Sequence, residues 1–257
     1  MNCIGVGLLA LVACLGNPDP NVRDKVAFER LSAAMRGGEV DRDMLSAIET
    51  ALLKLMSAPD PEGFQRPFAI LTLAEVARTD RIKPWMSAAD RENLTATAAQ
   101  YLATITDYRA FNDKEGFRHG VAHGADLAMQ LALNPAITKS QLDRLLDAIA
   151  GQVTPQDPAV AYWAGEPDRL ARPVIFIAQR KLHSAAEWKS FFDRAMGLVS
   201  NSLTVTEFDT FNSERGIRKH HNARAFLLSV FATASTSEDA GIKQLLEPVR
   251  NALKLVP

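Results

Sequence analysis

Apolar residues recur at three- and four-residue spacing along almost the whole chain, and almost every interruption carries the chemistry of a helix end. Ser87 with Asp90, Thr138 with Gln141 and Ser184 with Glu187 stand at the spacing of capping boxes, in which two side chains satisfy two otherwise orphaned backbone N–H groups. Asp19-Pro20 and Asp41 suit helix starts as well. Period-two alternation of β-branched residues is missing, and Val174-Ile175-Phe176-Ile177 is a short run inside a longer helical pattern. The pattern predicts helices over 6–15, 20–36, 42–57, 64–79, 88–105, 116–132, 139–150, 168–182, 185–200, 206–213, 217–234 and 238–254. The fold class is all-α.

The helices repeat. Glu62-Gly63-Phe64-Gln65-Arg66, Glu115-Gly116-Phe117-Arg118 and Glu214-Arg215-Gly216-Ile217-Arg218 each set an acid, a glycine, an apolar residue and an arginine at a helix mouth. Looser copies run from Asp19 to Arg23 and from Glu166 to Arg169. The spacing is near the ~40–50 residues of helix-pair repeats, and the acids suit the positive end of a helix dipole. The expected architecture is an armadillo- or HEAT-like α-solenoid of about five helix pairs, with a closed α/α toroid as the alternative. One repeat cannot bury its own apolar face, so residues 1–257 are expected to form a single helical-repeat domain. The recurring arginines are expected to form ion pairs along the stack.

Composition narrows the partners. With 29 Lys+Arg against 30 Asp+Glu the formal net charge is −1, which gives no electrostatic drive toward nucleic acid or an anionic membrane. At 47% hydrophobic residues the chain has ample material for a core. Its two cysteines, Cys3 and Cys14, cannot build a disulfide framework and lie in an apolar run where thiols usually serve as inert packing. That run, Cys3 to Leu15, is too short to span a membrane and lacks the basic start of a secretory signal, so it reads as the first helix of a cytoplasmic protein. The competing reading takes Leu11-Val12-Ala13-Cys14 as a lipoprotein signal, with Cys14 lipidated on an envelope protein.

The segment richest in chemistry is Glu115 to Asp126. On a helix, His119, His123 and Asp126 fall at i, i+4 and i+7 on one face, the spacing that presents two imidazoles to a transition metal. Gly116, Gly120 and Gly124 form an adjacent stripe, each interior glycine costing a helix up to ~1 kcal/mol. The compensation is either a helix packed very close or a ligand against exposed backbone. Gly120 follows His119, so the general base of the His-Glu-x-x-His zinc motif is missing. Two further clusters are Lys219-His220-His221-Asn222-Ala223-Arg224 and Glu166 to Pro173, the second following Tyr162-Trp163-Ala164-Gly165. If the marked helices line one wall, Arg66, His119, His123, Asp126, Glu166, Arg169, His221 and Arg224 share a binding groove. A nucleophile elbow, a phosphate loop and a dinucleotide fingerprint are all missing from the sequence.

Asn17-Pro18-Asp19-Pro20 with Arg23-Asp24, Arg66-Pro67-Phe68, and above all Gly116 to Asp126 resemble the bacterial family catalogued as domain of unknown function 2785, over roughly residues 8 to 254. Members of that family often carry Trp where this chain has Phe117. The resemblance implies an all-helical, solenoid-like fold and makes His119, His123 and Asp126 part of the family motif, without implying a reaction. Two functions follow. One is a scaffold whose groove binds a protein or peptide segment, with no cofactor. The other is a metal- or small-molecule-binding site, with hydrolysis as its candidate reaction, on the His119/His123/Asp126 face, with a divalent metal as its cofactor. Whether the chain is an enzyme is open at this level.

Overall fold

A computed structural model describes residues 3, 5–200, 203–204 and 212–256. The described chain is mostly helical. A short N-terminal helix α1 (Leu8–Leu11) tightens into a 3₁₀ turn (Val12–Cys14), and a π-helical stretch (Asn21–Phe28) runs into α2 (Glu29–Gly37). Then follow α3 (Arg42–Ser57), α4 (Gln65–Ile82), α5 (Ala88–Ala103), α6 (Gly120–Ala132), α7 (Lys139–Val153), α8 (Glu166–Gln179), α9 (Ala185–Ala195), α10 (Glu214–Thr236), α11 (Ala240–Lys243) and α12 (Leu246–Leu255). The expected 206–213 helix lies outside the described residues apart from its last two positions, which form a bend.

The three capping boxes form in full, with Ser87, Thr138 and Ser184 opening α5, α7 and α9. Asp41 accepts the Met44 amide at 2.8 Å to open α3. Sequence and structure differ at two short hairpins, where β1 (Phe111–Asn112) pairs with β2 (Gly116–Phe117) and β3 (Val199–Ser200) with β4 (Leu203–Thr204), all antiparallel. Runs of two residues are too short to show period-two alternation.

The helices pack in two series. In one, α2, α4, α6, α8 and α10 each lie against the next; in the other, α5, α7, α9 and α12 do the same. Helix α3 rests on α4. Buried residues from Cys3 to Val256 form one contiguous apolar cluster, with Trp188, Phe191, Phe192 and Phe226 among its largest members. The glycine stripe is explained by close helix approach. A Cβ at Gly120 would lie 2.8 Å from Tyr101 Oη, and one at Gly124 would lie 2.7 Å from Leu102 Cδ2, so both glycines admit α5.

At the N-terminus the thiol-packing expectation is corrected: Cys3 and Cys14 are joined in a disulfide, both sulfurs buried in the core. In this bridged form Cys14 has no thiol to carry a lipid. Among the described residues no helix is long and apolar enough to cross a membrane.

Candidate functional site

Gly116 breaks the helix that periodicity extends back to residue 116. Its φ of +73° belongs to the left-handed region, and Asn112 Oδ1 accepts the amides of Lys114 and Glu115 at 3.1 and 2.8 Å, closing a hairpin instead. The Arg118 amide then donates to Ala110 O at 2.8 Å and the His119 amide to Arg109 O at 3.3 Å. Helix α6 therefore starts at Gly120, and His119 precedes it with φ +53°. A β-unbranched but bulky residue held there is strained by roughly 1–3 kcal/mol, the kind of cost found at functional sites.

His119 is thus displaced from the helical face that the i, i+4, i+7 spacing predicted, yet its ring stays near that of His123, 5.8 Å between centroids. His123 is wholly enclosed: its Nδ1 is 3.1 Å from Pro67 O and its ring meets Phe68 edge-on at 5.2 Å. The ring of His119 stacks on Phe117 at 5.0 Å and 22°, and Phe117 in turn contacts Phe111 at 4.8 Å. His119 Nε2 is buried without a hydrogen-bond partner and faces Glu166 Oε1 across 3.6 Å. The other oxygen of Glu166 accepts the Ala164 amide at 3.0 Å.

Burial sets the protonation of this cluster. It lowers His119 to a pKa of about 4 and His123 to about 3, with the Arg169 guanidinium adding to both and each shift opposed by a backbone hydrogen bond. Both imidazoles are neutral at pH 7. Burial also raises Glu166, against backbone amides that favour its carboxylate, and raises Asp126, against the Arg169 ion pair.

The repeated arginines brace the site. Arg23, fully buried, holds Asp24 at 2.7 Å and donates to Glu115 O at 2.8 Å, while its guanidinium lies 4.3 Å from the Phe64 ring centroid. Arg118 covers the same ring at 4.0 Å and donates to Glu62 O at 3.1 Å. Phe64, just before α4, is therefore flanked by two cations that tie three repeat mouths together. Arg169 chelates Asp126 with both Nε and Nη2, joining α8 to α6.

Of the eight residues expected in one groove, five assemble: His119, His123, Asp126, Glu166 and Arg169 all lie where α6 meets α8. The common groove is otherwise corrected. Arg66 turns away and donates to Ala58 O at 3.2 and 3.0 Å. His221 Nε2 contacts Tyr162 O at 2.7 Å, on the loop leading to Glu166, and Arg224 donates to Val256 O at 2.9 Å. These three carbonyls sit at loop and chain ends whose backbone needs partners. A metal triad of His119, His123 and Asp126 does not form: Asp126 is committed to Arg169, and among the described residues no group of three or more His, Cys, Asp or Glu is arranged to hold a metal ion.

Three exposed aromatics belong to the hairpin and the loop that carry this cluster. Phe111, Phe117 and Trp163, the last 68% exposed, are all the aromatic side chains among the exposed large apolar residues described. Trp163 belongs to the loop whose next residue, Ala164, holds Glu166. Of these, Phe111 carried no sequence signal, because its role depends on a hairpin that periodicity does not reveal.

A model of a family described as a protein of unknown function (DUF2785) matches residues 52–231, from within α3 to within α10 and including the whole α6–α8 cluster. No curated protein and no solved structure matches the chain. With well over half its length matched, this chain belongs to the DUF2785 family of proteins of unknown function.

Proposed function

We propose that the protein is a helical-repeat scaffold, HEAT- or armadillo-like in its two series of successive helices, that binds a short peptide segment at the mouth of α6 and α8. The observation that carries this reading is the buried, unpartnered Nε2 of His119, whose ring stacks on exposed Phe117 with exposed Phe111 against it, while exposed Trp163 stands on the loop that holds Glu166. A buried polar atom without a partner costs roughly 1–3 kcal/mol, which an incoming donor removes. Neutral His119, with its other nitrogen protonated, accepts a peptide N–H, and Glu166 accepts a second donor beside it. The aromatics supply apolar contact of the kind that dominates protein interfaces, where Trp and other rings act as anchors. Arg169, held by Asp126, fixes the register of α8 on α6 and so the spacing of the two acceptors.

The disulfide supports an oxidising compartment over the cytoplasmic expectation, since such bonds persist where thiols are not kept reduced. The peptide reading is tested by selection from a random dodecapeptide display library on the immobilised protein. Enrichment of sequences sharing an apolar anchor, lost on the Phe117→Ala/Trp163→Ala protein, is the expected result; selected sequences that bind both proteins equally overturn it.

A further inference from the structure

We infer that the cleft between α3 and α5 is a second binding site, for a small polyhydroxylated carboxylate of the sugar-acid class whose carboxylate is held by Arg66. Where α5, α7, α9 and α12 pack one on the next, α3 leans on α4 instead. The gap left beside α5 is a cavity of about 480 Å³, a size typical of small-molecule sites.

Its lining has a definite chemistry. Asn93, Thr97, Gln100 and Thr104 stand at i, i+4, i+7 and i+11 and form a ladder of amides and hydroxyls along α5. The two threonine hydroxyls donate back to Asn93 O at 2.9 Å and Gln100 O at 2.8 Å, so their lone pairs face outward as acceptors while the amides offer both donors and acceptors. That mixture suits alcohols, which need both. On the opposite wall Leu53 and Met56 give an apolar surface for the C–H face of a ring.

Arg66 is the one ionised side chain lining this cleft among the described residues. Its Nε and Nη2 are fixed on Ala58 O, which orients the guanidinium and leaves Nη1 to a ligand. One fixed cation, with Asp60 accepting the Arg66 backbone amide at 2.8 Å close by, matches a single carboxylate better than a doubly charged phosphate ester. Tyr101 completes the floor, lining both this cleft and a cavity of about 150 Å³ beneath it, where Asp60 and Asp107 lie. Tyr101 is seated by α6, where Gly120 leaves the space its phenol oxygen occupies. This site shares no lining residue with the α6–α8 mouth and stands independently of the peptide reading.

The test is saturation-transfer NMR and calorimetry on the whole protein, with glucuronate and galacturonate as probes and glucose as the neutral control. Both uronates should bind, and glucose at least about tenfold more weakly. Arg66→Gln should lower uronate affinity by about tenfold or more, as loss of a charge-assisted pair does. Gln100→Leu, on an exposed helix face, should also weaken it, and Trp163→Ala should leave it unchanged. Absence of transfer to either uronate, equal binding of glucose, or undiminished binding by a folded Arg66→Gln or Gln100→Leu protein overturns the proposal. Loss of binding in Trp163→Ala overturns it too, because it would place the uronates at the other site.

Discussion

His119 Nε2 faces Glu166 Oε1 across 3.6 Å, the first side chain standing just before α6 and the second opening α8. At 3.6 Å the two are not hydrogen-bonded to each other, and with the imidazole proton on Nδ1 two acceptors point at one spot between successive repeats. The peptide-binding account rests on that spot.

Acid should loosen the fold through the histidines. Both have folded pKa values depressed below the unfolded value of about 6.5, to about 4 for His119 and about 3 for His123. The unfolded chain therefore binds more protons as pH falls below 6.5, and stability present above that pH declines by up to about 1.4 kcal/mol per pH unit for each histidine. Asp126 and Glu166, with raised pKa values, gain protons in the folded state and oppose the trend. Denaturant midpoints between pH 7 and 4.5 should fall more steeply for the wild type than for His119→Gln/His123→Gln. Parallel curves would remove burial of neutral imidazoles as the cause.

Glu49 predicts the opposite sign. It is buried, and desolvation with the nearby charges of Asp90 and Asp80 raises its pKa to about 7. A raised carboxyl favours the folded state at low pH and loses that contribution as pH rises through 7. Glu49→Gln should therefore stabilise the protein by about 2–3 kcal/mol at pH 8, with the gain vanishing near pH 4.5. Thermal melts at the two pH values decide it.

The glycine stripe predicts a coupled pair. Gly120→Ala places a methyl 2.8 Å from Tyr101 Oη and should destabilise by about 1–3 kcal/mol despite the better helix former. In the Tyr101→Phe background, where that oxygen is gone, most of the cost should disappear. Additive losses in the double-mutant cycle would mean that the contact is not what demands glycine.

The disulfide has its own signature. Intact-mass measurement of protein kept from reductant should give the bridged mass, and reduction should cost stability of about 3 kcal/mol, as expected for closing a loop of this length between Cys3 and Cys14. A lipid mass on Cys14 would instead support the lipoprotein reading.

Much of the fold is legible in the sequence because helix ends are local. Asp41, Ser87, Thr138 and Ser184 carry their own instructions within three residues, and the helices they open begin where spacing and caps put them. The recurrence of Arg23, Arg118 and Arg169 is visible too, but not its use, since their partners Glu115, Glu62 and Asp126 lie 92, 56 and 43 residues away. The hairpin that displaces His119 was hidden by Gly116: in a helical pattern a glycine reads as a tolerated interruption, and only its positive φ shows a turn. Tyr101 gave no signal at all, because its position is defined by the glycines of another helix.

The most direct test of the account is fluorescence polarisation of the best selected peptide against four folded variants. Phe117→Ala, Trp163→Ala and Glu166→Gln should each weaken binding by about tenfold or more, in the range of interface anchors, while Arg66→Gln should bind like the wild type. Full-strength binding by the first three, or loss confined to Arg66→Gln, would contradict a peptide site at the mouth of α6 and α8.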